Sequence, residues 1–280
     1  MKNIQIYLLQ LLDRSLPFRL VIALITAYIA LFIVQVTEAI HQHMSCWGKA
    51  PLLTCLMDQL IGLIAVENVE GYSILVVAIT YLMESRDRQK QKHYEAWQVI
   101  DNAAAANVPT SNARIKALQD LNEDGISLQG LDVPKADLKR IQLIGADLRE
   151  ATLSNADLRD ANLRNANLEA ALLDGVNLQG VDLSSANLQN ANLKGADLTG
   201  ANLNNTNLTH ADLNKAILEG ADLRKALLAE SNLSATNLRT TDLRCANLTN
   251  AKLRESDFRT ADFKDAKMTG TVMPNGSIHE

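Results

Sequence analysis

Polar and apolar residues alternate along most of this chain with a beat of five. From Ala136 the sequence reads ADLKR, IQLIG, ADLRE, ATLSN, ADLRD, ANLRN, ANLEA, and the beat runs from about Ile126 to about Gly270, through ADFKD and AKMTG. A period of five fits neither the 3.6 of an amphipathic helix nor the 2 of a half-buried strand. The third position is nearly always Leu, as in Leu138, Leu148, Leu158, Leu163 and Leu168, with Phe258, Phe263 and Met268 near the end. Two residues earlier stands a small residue, usually Ala, as in Ala136, Ala146, Ala156, Ala161 and Ala166. One large and one small apolar position in five line a narrow interior, and the Asp or Asn between them and the two residues after them face water. A chain that turns a corner after each pentad closes a square in four, which stacks residues about 20 apart at the strand spacing of about 4.8 Å. About 29 pentads then predict around seven coils and a rod about 35 Å long.

The pattern ahead of the rod is different. Phe18 to Val36 is a 19-residue apolar run with one charge, Arg19, at its edge, long enough to span a hydrocarbon core of about 30 Å as a helix. A cleaved signal peptide is the rival reading, but its apolar core is shorter and a small-residue cleavage site should follow, where Thr37, Glu38 and His41 stand here. A second run, Tyr72 to Met83, extended back by Val69 and Gly71, is on the short side for a span and carries Tyr72 and Tyr81 as interfacial residues. Between them Leu52 to Val66, interrupted by Asp58, Gln59 and Gly62, is too short and polar to cross and reads as an interfacial or re-entrant helix. Lys2, Arg14 and Arg19 precede or open the first run and Arg86, Arg88, Lys90 and Lys92 follow the second, whereas the intervening loop holds Lys49 against Glu38, Asp58, Glu67 and Glu70. The positive-inside rule places both ends in the cytoplasm, and the rod with them.

From Glu84 the chain is polar and rich in helix formers, with Tyr94, Trp97 and Ile100 expected on one side. Pro109 ends that helix, Ser111 caps a second, and Ile115, Leu118 and Leu121 form its apolar stripe. This stripe is expected to cover the open end of the first coil, the alternative being a linker that only spaces rod from membrane. After the rod, Pro274-Asn275-Gly276 reads as a turn that brings Ile278 back over the other end. The expected organisation is a membrane anchor over 1–84 with transmembrane helices at about 18–36 and 68–84 and a loop over 37–67. A helical linker and cap follow over 85–125, then the rod over 126–270 and a tail over 271–280.

The pentads resemble the pentapeptide repeat family, whose motif is A(D/N)LXX. The resemblance implies a mainly β fold, a right-handed quadrilateral β-helix, preceded here by the α-helical transmembrane hairpin and the short helical cap. It also implies that Leu158, Leu178 and Leu198 stack on one inner wall with Ala156, Val176 and Ala196 beside them. Ile141, Val176, Val181, Thr206 and Thr236 depart from Ala at the small position but stay small or β-branched. The stretch ESRDRQKQKHYEAWQVI and the tail resemble those of membrane-anchored cyanobacterial members, implying a plasma or thylakoid membrane. Some members resemble double-stranded DNA through strongly acidic rods that bind type II topoisomerases. Here Lys and Arg nearly balance Asp and Glu, so that role is not expected.

Composition sharpens this in a few places. The chain has 280 residues, 4% of them aromatic, and a net charge of −5, which excludes little by itself. Tyr and Trp are absent from the rod and its basic residues are interspersed with acids, which argues against nucleic acid. Cys46 and Cys55 share the loop assigned to the oxidising side, which leaves open a disulfide or two reduced thiols. His41 and His43 beside Cys46 read as ordinary loop residues rather than a metal site, and Cys245 as a small outward substitute. No catalytic triad, phosphate loop, metal motif or cofactor motif is visible, so catalytic, cofactor and metal residues are expected to be none. Sorted by the 20-residue period, Arg224, Arg244 and Lys264 share a face next to Asp222, Asp242 and Asp262, and Arg239 and Arg259 share the neighbouring one beside Asn237 and Asp257. These rows either neutralise one another as solvated pairs or form a partner-binding corner.

The function read from the sequence is a non-enzymatic, membrane-tethered scaffold presenting a rigid rod to an unknown protein partner, with lipid contacted through the N-terminal hairpin. Two alternatives accompany it. One is a channel or transport subunit with Glu67 and Glu70 as ring charges, although no selectivity-filter sequence is present. The other is a factor in envelope glycolipid-layer assembly, which some membrane-anchored family members resemble.

Overall fold

The computed structural model describes residues 69–106 and 108–280, together with Ile25, Thr26, Ile29 and Ile33. The chain divides into two compact units, Met1–Lys92 and His93–Glu280. Most of the span expected at 18–36, the segment Leu52 to Val66, His41, His43, Cys46, Cys55 and Glu67 lie outside the described residues. Within 18–36, Ile25, Thr26, Ile29 and Ile33 are helical, and the three isoleucines are exposed.

Helix α1 covers Val69–Ala105. The expectation of a membrane span at 68–84 is corrected: no helix among the described residues is long and apolar enough to cross a membrane. The apolar run Tyr72 to Met83 rises only about 18 Å as a helix, against about 30 Å of hydrocarbon. Glu70 precedes it, and Glu84, Arg86, Asp87 and Arg88 follow within the same helix. Residue 84 therefore marks a change of polarity inside one element. In the first unit Thr80 donates its hydroxyl hydrogen bond to the Val76 carbonyl at 2.8 Å. The Arg88 guanidinium lies 4.9 Å from the ring centre of Tyr81, a cation–π contact.

In the second unit the C-terminal part of α1 buries Ile100 completely, with Ala96 and Trp97 packed against the same core. Tyr94, expected on that side, is 59% exposed. At about 100° per residue it lies about 120° around the helix from Ile100, whereas His93, two turns back, lies almost in line. His93 accordingly faces inward and meets Asp124, Nε2 to Oδ2 at 2.9 Å.

Helix α2 is Asn112–Glu123. Its N-cap Ser111 accepts the Arg114 backbone N–H at 3.1 Å, satisfying one of the donors that open every helix. At its other end Gly125, at φ +70°, allows Gly125 N–H to reach the Asn122 carbonyl and Ile126 N–H the Leu121 carbonyl, both orphan acceptors. Leu118 and Leu121 are fully buried, and Ile115 is partly so.

The rod follows from one pentad repeated. Parallel bridges link second positions twenty residues apart, as in Asp157 to Asn177 to Asp197, so four pentads make one coil. Three backbone bonds per pentad hold adjacent coils together. In one pentad, Asn177 N–H donates to Ala156 O at 2.9 Å, Leu178 N–H to Asp197 O at 2.7 Å and Gly180 N–H to Thr199 O at 3.0 Å. The corner is closed by Val181 N–H to Leu178 O at 3.2 Å. First and third positions point inward, and from Ala136 to Leu253 the Leu, Ala, Val and Ile there are buried. The off-pattern residues are satisfied in place: Thr206, Thr241 and Thr271 donate their hydroxyls to the carbonyls of Leu183, Leu218 and Leu248 at 2.8, 2.8 and 2.7 Å.

Each corner is a type II turn with the fifth residue in the left-handed region, and every fifth position from Gly125 to Gly270 adopts it. The second-position carboxylate or amide stabilises the same corner: its Oδ1 accepts the backbone N–H two residues on, as from Arg159 to Asp157, Gln189 to Asn187 and Thr249 to Asn247. This local bond explains why Asp and Asn recur there.

The C-terminal end departs from expectation. Residues 270–279 form a short hairpin in which Val272 pairs antiparallel with Ile278 and His279 N–H donates to Thr271 O at 2.9 Å. Ile278 does not cover the last coil; it is 69% exposed. Val272 is a second-position residue whose side chain faces outward, and its antiparallel partner shares that face. The core positions of the last coil are Phe258, Phe263, Met268 and Met273, all partly buried, with the two Phe rings edge-to-face at 5.6 Å.

Candidate functional site

The outer faces of the rod carry its chemistry, and the twenty-residue register brings the basic residues singled out above into stacks. Asp222, Asp242 and Asp262 bridge in sequence, so Arg224, Arg244 and Lys264 lie one above another. Arg224 grips Asp222 with two hydrogen bonds, Nε to Oδ1 at 2.8 Å and Nη2 to Oδ2 at 2.6 Å. Arg244 repeats the arrangement on Asp242 at 2.9 and 2.6 Å. Each guanidinium also approaches the acid one coil on, Arg224 to Asp242 and Arg244 to Asp262, both at 3.7 Å. Lys264 donates its backbone N–H to Asp262 at 2.9 Å.

Arg239 and Arg259 lie on the neighbouring face, placed by the Asn237 to Asp257 bridge. Arg259 forks onto Asp257 at 2.9 and 2.7 Å, while Arg239 donates its backbone N–H to Asn237 at 3.1 Å. The two groups of basic residues thus form two rows on adjacent faces rather than one cluster.

The paired arginines shift their acids. The hydrogen bonds from Arg224 and Arg244 hold Asp222 and Asp242 below the usual carboxylate range, with partial burial opposing. Those from Arg259 bring Asp257 down to about 2. Arg149 acts in the same way on Asp147, aided by the Ser127 hydroxyl at 2.6 Å. This surface is therefore zwitterionic, an alternation of forked Arg–Asp pairs rather than a free basic patch. It can pair with a surface of matching alternation and has little net attraction for a simple anion.

Two features were not legible in the residues. Second-position amides form ladders between coils, with Asn187 donating to Asn167 at 3.1 Å and Asn207 to Asn187 at 3.0 Å. Arg114, which sequence periodicity leaves among the polar residues of α2, is 2% exposed. The large exposed apolar residues of the rod's sides, Ile144, Leu172, Ile217 and Leu227, sit at scattered positions and form no stripe. Among the described residues no group of His, Cys, Asp and Glu is arranged to hold a metal ion.

A family model described as pentapeptide repeats matches residues 124–275 in overlapping stretches. Solved structures similar to the chain include HetL from the cyanobacterium Nostoc sp. strain PCC 7120, a pentapeptide repeat protein involved in heterocyst differentiation regulation. It is 31% identical over 55% of this chain and 87% of its own, with a TM-score of 0.25. Rfr23 from the cyanobacterium Cyanothece 51142 is 24% identical over 55% of this chain and 98% of its own, with a TM-score of 0.22. QnrB1, a plasmid-mediated fluoroquinolone resistance protein, is 23% identical over 51% of this chain and 78% of its own, with a TM-score of 0.42. No curated protein sequence matches the chain at a significant level.

Proposed function

The chain belongs to the pentapeptide repeat family, and from that premise we propose that it is a non-enzymatic scaffold, held at a membrane by its N-terminal region, whose rod binds a protein partner on the cytoplasmic side. The observation that carries the scaffold reading is the unbroken parallel register from Asp132 to Val272, with each coil bonded to the next. Such a column changes shape little on binding, so little ordering entropy is lost when a partner docks. Its surface is also preset: the Arg224, Arg244 and Arg259 forks fix long side chains that would otherwise have to be ordered.

The tether rests on sequence pattern together with a few described positions. Phe18 to Val36 is apolar enough and long enough to span. Ile25, Ile29 and Ile33 are exposed at four-residue spacing on a helix, as are Val77 and Tyr81 on α1. Large apolar side chains repeated along a face exposed to solvent favour a lipid or protein covering. The cytoplasmic side for the rod rests on the basic residues that lead into it, Arg86, Arg88, Lys90 and Lys92, which the positive-inside rule favours on that side.

Two measurements test the reading separately. The full chain should stay with membranes through alkaline carbonate washing; release would overturn the tether and leave the scaffold intact. Crosslinking in native membranes should trap a partner whose yield falls when Arg224 and Arg244 are both changed to Glu and is retained when Lys194 and Arg254, on a different face, are changed likewise. Equal yields from all forms would remove the Arg–Asp rows as the docking face.

A further inference from the structure

The first unit exposes one stripe of α1. Val77 and Tyr81 are 67% and 63% exposed, whereas Val76, Ile79 and Thr80, on other sides of the same turns, are half-buried. At about 100° per residue, Val77, Tyr81, Arg88 and Lys92 fall within about 60° of one another and span about 22 Å of helix. Arg88 and Lys92 are exposed as well. The stripe is therefore apolar at one end and cationic at the other.

The two ends are joined by a contact. Seven residues of helix set Tyr81 and Arg88 about 10 Å apart along the axis, yet the Arg88 guanidinium lies 4.9 Å from the ring centre of Tyr81. The long side chain runs back toward the helix N-terminus, as helical side chains do, and brings a cation to the level of the ring. Beyond it the exposed Lys90 and Lys92 continue the positive turns. From Glu84 to Lys92 the sequence places four cations, Arg86, Arg88, Lys90 and Lys92, against the two acids Glu84 and Asp87.

This order narrows what can cover the stripe. The hydrocarbon interior is excluded as a complete path, because α1 is not long and apolar enough to cross. Water leaves Val77 and Tyr81 unburied, and an apolar protein face would strip the cations of solvent without pairing them. A bilayer surface offers acyl chains to an aliphatic residue, the headgroup boundary to an aromatic one, and phosphates to the cations next to it. Anionic headgroups add an attraction of about fivefold in binding for each Lys or Arg near them.

We propose that this stripe of α1 docks on a bilayer surface rich in anionic lipid, with Val77 and Tyr81 meeting the lipid and Arg88, Lys90 and Lys92 its charged headgroups. The proposal rests on the membrane tether for its setting and goes beyond it by assigning a lipid class to a second contact. Retention through carbonate washing reads the tether, whereas dependence on lipid charge and salt reads the stripe, so either can fail without the other.

The test uses the full chain in nanodiscs of phosphatidylcholine alone or with one third phosphatidylglycerol, read by amide hydrogen exchange over residues 77–92. Exchange there should be about fivefold slower or more in the anionic discs, and raising salt to about 0.5 M should remove most of the difference. Arg88→Gln combined with Lys92→Gln should also remove most of it, while Lys215→Gln combined with Lys225→Gln, at exposed positions of the rod, should leave it unchanged. Equal exchange in the two lipids, or a difference that ignores both salt and the Arg88/Lys92 change, would overturn the proposal. So would protection that follows the number of chains per disc instead of lipid charge, which would make a second copy the cover. If the chain does not enter discs, its flotation with vesicles of the same two compositions must show the same lipid and salt dependence, and equal flotation overturns the proposal.

Discussion

Thr240 and Thr260 are the two β-branched residues among the left-handed fifth positions, with φ +55° and +64°, stacked one coil apart above Gly180, Gly200 and Gly220 on the same corner. A side chain in this region costs about 1–2 kcal/mol, and β-branching puts Thr near the upper end. The Thr240 N–H is shared between the Arg259 carbonyl at 3.4 Å and the Thr260 hydroxyl oxygen at 3.3 Å, where the equivalent bonds of Gly220 and Cys245 go to a carbonyl at 3.0 Å; the strain itself is conformational. Replacing Thr240 by Gly removes that strain. Against it stand the greater freedom of Gly in the unfolded chain, about 0.7 kcal/mol, and the loss of the exposed bond from the Thr240 hydroxyl to Arg239 O at 2.6 Å, about 0.5 kcal/mol net. Thr240→Gly should therefore stabilise by a little under about 1 kcal/mol. The reciprocal change, Gly200→Thr, meets nothing within 4 Å and carries φ +65°, so its expected cost of about 1 kcal/mol is conformational alone. Urea unfolding of the full chain followed by β-sheet circular dichroism gives the sign, and amide exchange along this corner localises it, because repeat columns respond coil by coil. A lowered midpoint for Thr240→Gly together with no loss for Gly200→Thr would refute the claim that corner conformation limits stability here.

Asn187→Ala removes two ladder bonds and the turn bond to Gln189 at once, and should cost about 1–3 kcal/mol in the same urea assay. Leu198→Ala, at a fully buried position in the middle of the column, should cost about 3 kcal/mol and leave a cavity that xenon binding can detect. Asp222, Asp242 and Asp257 have depressed folded-state values, about 2 for Asp257, so their contribution to stability is complete above the unfolded value of about 3.9 and is lost as pH falls through those depressed values. Acid titration of the unfolding midpoint should show that decline below about pH 4, and a variant carrying Asp222→Asn, Asp242→Asn and Asp257→Asn should show a flatter one.

How much of the architecture is legible in the residues depends on whether its cause is local. The pentad beat specifies a four-cornered coil because inward and outward positions repeat identically: Leu178, Val176 and Gly180 each have one geometric role wherever they recur. The helices are readable in the same way, from Ser111 and Gly125 at the ends of α2. Tyr94, Ile278 and the span over 68–84 were misread because each depended on something no short window contains. Tyr94 required the exact angular phase of a long helix against its packing partners. Ile278 required the hairpin register that turned it outward. The short apolar run of α1 required knowing that the helix continues unbroken into its charged segment.

The sequence alone determined the repeat, its period and the residues that fill the core, since a pentad of small and large apolar positions has one dense way to coil. Tertiary structure decided which charges meet. Pairing across coils depends on side chains twenty residues apart, and it added to the local forks of Arg224 and Arg244 a second contact, at 3.7 Å, with the acid one coil on. It also decided that Arg114, polar in any linear reading, is enclosed where two helices meet the first coil, because burial is a property of what surrounds a residue in space and not of its neighbours along the chain.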